Sequence, residues 1–120
     1  MGRLDPANLN DKERKVLTLV EENPNSLVYF SANWCGACRT FKHEALDTLV
    51  ADGEFERRGV KLIEVDNDEC PTLSVACKVK SLPAVMVFRD GKHVDGFSGY
   101  QPRGDVLECL REHYPLPEEG

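Results

Sequence analysis

Apolar and polar positions recur along the chain in two periods, and the switches between them set out eight elements. Asn10 followed by Glu13 makes a capping-box pattern, and Val16, Leu19 and Val20 then recur at helical spacing. Asn23-Pro24-Asn25 ends that helix. Leu27 to Ala32 is a short β-rich run, the mark of a buried strand. A second helix begins near Cys35 and carries Phe41, Ala45 and Leu49 on one side. Val60 to Asp66 predicts another strand. Pro71 stands where a first helical residue is tolerated, opening a helix with Leu73, Ala76 and Cys77 inward. Ala84 to Phe88 is an apolar strand, and Asp90-Gly91 turns it back into a strand over His93 to Phe97. Pro102 opens a last helix whose face is Val106, Leu110 and Tyr114.

The order α-β-α-β-α-β-β-α predicts an α/β fold. Strands separated by helices are expected to pair in parallel, and the closing hairpin adds an antiparallel edge. The result is a mixed sheet between helices, with four strands, or five if residues 1–10 add an edge. That segment has few large apolar residues, Leu4 among them, so it is expected to be a short strand or weakly ordered. Residues 115–120 are expected to form a tail. There is no repeat or low-complexity stretch, and 120 residues fit one domain, 1–120.

Composition narrows the function by exclusion. Apolar residues make up 41% and charged residues 30%, an ordinary soluble balance. The net charge of -6 gives no global attraction to nucleic acid or anionic membranes. The longest apolar runs are too short to span a bilayer. Met1 to Asn10 lacks the apolar core of a secretory signal, and Glu118-Glu119-Gly120 is no retention or lipidation signal. A cytoplasmic, or at least reducing, setting is therefore expected, the alternative being a mature form whose targeting segment has been removed. The five cysteines, an odd number, make a poor structural disulfide framework. One close pair with three scattered thiols suits a reducing compartment in which the pair does the chemistry.

That pair is Cys35 and Cys38, in Trp34-Cys35-Gly36-Ala37-Cys38. At a helix start this spacing brings both sulfurs together. Cys35 falls at the N-terminus, where unpaired N–H groups and the helix dipole favour a thiolate, the attacking species in disulfide exchange. Cys38, one turn in, is expected to be more buried and to act later. A Cys-x-x-Cys is also half of a zinc site, but such a site draws its other ligands from a second close pair. Cys70 and Cys77 fall on one predicted helix and make a poor knuckle. His43, His93 and His113 show no metal spacing, so no metal is expected. A position after a strand and at a helix start favours redox chemistry.

With these elements in order, the chain from about Leu27 to Tyr114 resembles the thioredoxin family. Phe30-Ser31-Ala32-Asn33-Trp34-Cys35-Gly36-Ala37-Cys38 looks like its active-site segment. Ser81-Leu82-Pro83 matches the segment with its cis-proline, Phe88-Arg89-Asp90-Gly91-Lys92 its last hairpin, and Gly99 a glycine beside its substrate groove. Asp66 to Val79 looks most like cytosolic thioredoxins of eukaryotes. The resemblance implies a thioredoxin fold with four flanking helices, Cys35 as nucleophile and Cys38 as resolving thiol. It implies substrate binding by Trp34, Gly36, Ala37, Leu82, Pro83 and Gly99, with the residue 82 backbone pairing with an extended substrate. It also implies disulfide-containing protein substrates and recharging by thioredoxin reductase. NADPH and FAD would belong to that partner, because this chain has no Gly-x-Gly-x-x-Gly fingerprint. No bound cofactor is expected, and the chain is expected to be a monomer.

Two departures from the family pattern change the expected behaviour. Ala37 stands where the family commonly has proline, restoring a backbone N–H near the sulfurs. Stabilising the reduced form makes a pair more oxidising. Tyr29 stands where the family commonly has a buried aspartate, and Leu62 where it has the partner lysine. Tyrosine is a poor base at neutral pH, so Cys38 is expected to resolve mixed disulfides more slowly. Glu64 and Asp66 are the nearby carboxylates in sequence. These departures also keep open a second function, a thioredoxin-fold binding module or redox-sensitive adaptor.

The other cysteines have expected places. Cys77 shares a face with Leu73 and is expected in the core. Cys70 near a helix start is expected to be the more acidic thiol. Seven residues of helix would hold their Cα atoms ~10 Å apart, too far for a disulfide without unwinding, so Cys70 and Cys77 stand as a regulatory pair only if that helix opens. Cys109 on the last helix is expected to be structural. Arg39 and Lys42 follow the motif, either as a solvated face or as guides for an acidic partner.

Overall fold

The structure, a computed structural model, describes residues 6–119. Helix α1 spans Asp11–Glu22. The expected capping box is present: the Asn10 side chain accepts the Glu13 N–H, and Glu13 accepts the Asn10 N–H. The other Glu13 carboxylate oxygen accepts the Leu73 N–H at 2.9 Å. A buried acid thus joins the starts of two helices by satisfying donors that helix starts leave free. Leu4, in the segment expected to add an edge strand, lies outside the described residues. From Pro6 the chain makes a 3-10 turn, Pro6–Asn8, and runs into the Asn10 cap.

Four strands form one sheet: β1 Ser26–Ser31, β2 Lys61–Asp66, β3 Ala84–Arg89 and β4 Lys92–Ser98, in the order β2-β1-β3-β4. β1 and β2 are parallel, with Tyr29 beside Glu64. β3 is antiparallel to β1, with Phe30 beside Ala84, and β4 is antiparallel to β3. The parallel pairing expected for every helix-separated strand therefore fails at β3. Helix α5, Pro71–Ala76, has six residues, ~9 Å of rise, too short to carry the chain back along a strand of ~20 Å. The chain re-enters the sheet at the end it left, so β3 runs the other way.

The segment after β1 is helical from Gly36 to Ala51 in three parts. These are α2 Gly36–Phe41, a π-helical turn Lys42–Leu46 and α3 Asp47–Ala51. The π turn holds one residue more than an α turn, and both Ala45 and Leu46 are fully buried beside Phe41 and Leu49. Gly53 takes a left-handed conformation (φ 78°) and starts a short helix, α4 Glu54–Arg57, that the hydrophobic pattern did not predict. α6 spans Arg103–His113 and buries Val106, Leu110 and the following Tyr114, as expected.

Alternation along β1 divides the core. Leu27 and Tyr29 face Phe41, Leu46, Leu49, Phe55, Val106 and Leu110 from α2, α3, α4, α6 and the π turn. Val28 and Phe30 face Val16, Cys70 and Leu73 on the α1 and α5 side. On α5 the expected inward face is corrected. Leu73 and Ser74 are buried and Cys77 half-buried, but Ala76 is exposed, because the six-residue helix turns only a narrow stripe to the sheet. The C-terminal segment is fastened: Arg58, buried, donates to both carboxylate oxygens of Glu119 at 2.6 and 2.7 Å and to the Tyr114 carbonyl.

Candidate active site

The sheet topology brings the carboxyl ends of β1, β2 and β4 and the amino end of β3 to one edge. From β1 the chain turns through Ala32, whose carbonyl accepts the Cys35 N–H at 3.1 Å, and enters α2 with Cys35 as its N-cap. Cys35 Sγ accepts the Cys38 N–H at 3.0 Å. The sulfur does here what a serine or aspartate oxygen does at an ordinary helix start, so backbone donors and the helix dipole point at it. Cys35 and Cys38 are disulfide-bonded, with Cα atoms 5.2 Å apart. Cys38 is the more buried, at 1% exposure against 6%.

Beneath the pair, the Tyr29 hydroxyl donates to the Cys38 carbonyl at 2.8 Å, and its ring lies 5.6 Å from that of Phe41. Burial pushes the Tyr29 phenol up, so it stays a neutral donor. Leu62 packs on the same core side. The two carboxylates that sequence left unplaced separate. Asp66 turns into its own loop, accepting the Asp68 N–H at 2.9 Å. Glu64 sits beside Tyr29 in the sheet, where its charge helps to hold the phenol protonated.

Around the cysteines, Trp34 is 69% exposed and its Nε1 donates to Asp68 at 2.9 Å. The Leu82-Pro83 peptide is cis, and the Pro83 carbonyl accepts the Gly99 N–H at 2.7 Å. Gly99 has φ 87°, a conformation that side chains strain to adopt. Gly36 and Ala37 are exposed in the first turn of α2. Arg39 donates to the Asn33 carbonyl at 2.6 Å and so braces the loop before Cys35, while Lys42 pairs with Asp47 at 3.4 Å. Trp34's bond to Asp68 and the Tyr29 bond to Cys38 were not foreseen from sequence. Only the type of residue at each position signalled them.

The family model described as Thioredoxin matches residues 7–112. The chain belongs to the thioredoxin family. A thioredoxin from Staphylococcus aureus is 36% identical over 92 residues, covering 77% of this chain and 85% of that protein. The thioredoxin of Fasciola hepatica superposes with a TM-score of 0.69 at 28% identity, covering 83% of this chain and 92% of that one. Mitochondrial thioredoxin 3 of Saccharomyces cerevisiae, in its oxidized form, shares the fold with a TM-score of 0.71 at 21% identity, covering 82% and 88%. Relatives from bacteria and eukaryotes alike mean that the thioredoxin likeness is not confined to eukaryotic cytosolic forms. The Cys35–Cys38 pair fits the thioredoxin active site, and the chain is a protein thiol-disulfide oxidoreductase whose redox centre is that pair rather than a bound cofactor.

One of the remaining cysteines differs from expectation. Cys70, at the N-cap of α5, is buried against Leu73, and burial and the charges of Glu13 and Asp66 push its thiol up rather than down. Burial also pushes up Cys77, which packs on the same cluster. Cys109 is half-buried on α6. Among the described residues, no helix is long and apolar enough to cross a membrane.

Proposed function

We propose that this thioredoxin reduces disulfides of protein substrates through a Cys35/Cys38 cycle and is recharged by an NADPH-dependent thioredoxin reductase. The Cys35 thiolate attacks one substrate sulfur, and the other sulfur leaves as a thiolate. Cys38, deprotonated, then attacks Cys35 Sγ. The Cys35–Cys38 disulfide closes, and the substrate leaves with both sulfurs reduced and two electrons gained. The observation that carries this reading is the Cys38 N–H donating to Cys35 Sγ at the start of α2. That donor stabilises negative charge on Cys35 in the reduced form.

The substrate segment lies between Trp34, Gly36 and Ala37 on one side and Leu82, Pro83 and Gly99 on the other. The Pro83 carbonyl is held by Gly99, so strand-like pairing with the substrate falls to the Leu82 backbone. The protein works as a monomer in the cytoplasm, with its nicotinamide and flavin chemistry in the partner reductase. Insulin reduction coupled to NADPH and thioredoxin reductase tests this. Wild type is expected to turn over and Cys35→Ser is not. A wild type no faster than Cys35→Ser overturns the reductase reading and favours a redox-sensitive adaptor.

A further inference from the structure

Away from the active-site cysteines, β4 and α6 bring three different metal-binding side chains together. Cys109 and His113 are four residues apart on α6, so they lie one above the other on the same helix face. A search for paired knuckles in sequence passes over this spacing, and the third group comes from another element, Asp95 on β4. A carboxylate oxygen of Asp95, the Cys109 sulfur and a ring nitrogen of His113 all lie within 4.8 Å of one another. We propose that Asp95, Cys109 and His113 bind a divalent cation of the zinc class.

The donor set selects the ion: a thiolate and an imidazole favour zinc over magnesium or calcium, which take oxygen ligands. Zinc bonds of ~2.0–2.3 Å in a tetrahedron need ligand atoms about 3.5 Å apart, a small side-chain adjustment from what is present. Asp95 is already oriented. One oxygen accepts the Gly96 N–H at 2.8 Å, while the other lies 2.8 Å from His113 Nε2. Glu112 Oε2 lies 3.9 Å from the same nitrogen on an exposed side chain, which makes it the candidate fourth ligand, with water the alternative. Cys109 and His113 are half-buried and Asp95 exposed, so an ion can enter from solvent. Burial and the charges of Asp95 and Glu112 push the Cys109 thiol up to about 11. A dication reverses that repulsion, and ligation releases the thiol proton to solvent.

Cobalt(II) titration of the oxidised protein tests the proposal, because the closed Cys35–Cys38 disulfide cannot ligate. The expected result is one equivalent bound, a thiolate-to-cobalt charge-transfer band, and displacement by zinc. Cys109→Ser is expected to abolish the band. His113→Asn and Asp95→Asn are expected to weaken binding at least ~10-fold. A Cys70→Ser/Cys77→Ser protein is expected to bind as wild type does. Far-UV circular dichroism checks each fold, and the largely surface change Asp95→Asn carries the test if Cys109→Ser does not fold. The absence of a thiolate band, its survival in Cys109→Ser, unweakened binding in Asp95→Asn, or loss of the band with Cys70 and Cys77 overturns the site.

Discussion

The Tyr29 hydroxyl, on the central strand β1, donates a 2.8 Å hydrogen bond to the backbone carbonyl of Cys38. That carbonyl also accepts the Lys42 N–H within the helical segment, so the phenol adds a second bond rather than supplying the only one. The relationship changes what the position does. An acid there would act on the Cys38 thiol, whereas a neutral phenol holds the backbone that carries it.

Tyr29→Phe is expected to destabilise the oxidised protein by about 1 kcal/mol, the net value of one buried hydrogen bond, measured by urea denaturation. Tyr29→Asp is expected to cost more stability, because Leu62 offers no counter-charge. It is also expected to speed insulin reduction by supplying a base near Cys38. An unchanged rate in a folded Tyr29→Asp protein would show that proton removal from Cys38 does not limit turnover.

Ala37 carries a backbone N–H in the first turn of α2, where helix donors have no partner inside the helix. Ala37→Pro removes that donor, and proline is tolerated in a first helical turn. The pair is expected to become more reducing, read as a more negative potential in glutathione redox buffers. An equal or less negative potential would contradict the assignment of that N–H to thiolate stabilisation.

Glu119 is held at a pKa of about 2, first by its hydrogen bonds from Arg58 and then by the Leu116 N–H. A carboxyl depressed in the folded state gives its full stabilisation above the unfolded pKa of ~4.3, and loses it as pH falls toward about 2. Glu119→Gln is therefore expected to lower the thermal midpoint at pH 7 and to differ little from wild type near pH 2. A midpoint difference that persists at low pH would mean that the turn is held by something other than this ion pair.

Much of the fold was legible because local signals agreed. The Asn10–Glu13 box, the Asp90-Gly91 turn and the Val106, Leu110, Tyr114 stripe each set an element that is present. The direction of β3 was not legible, since it depends on the reach of α5 across a sheet that sequence does not display. The π turn escaped because a period of 3.6 is built into the way helices are read. At the site, spacing alone led to Cys35 and Cys38. Glu13 on Leu73, Trp34 on Asp68 and Tyr29 on Cys38 are contacts between segments distant in sequence or crossing from strand to helix. No periodicity records them. The expected acidity of Cys70 failed for a related reason: burial in the α1 side of the core, with the charges of Glu13 and Asp66 beside it, pushes the thiol up.

The reduction potential of the Cys35–Cys38 pair tests the central claim most directly. A protein-disulfide reductase with Ala37 in its active site is expected to fall between about -270 and -200 mV, toward the less negative end. A value near about -120 mV, that of a strong oxidant, would contradict the account by making the pair a donor of disulfides.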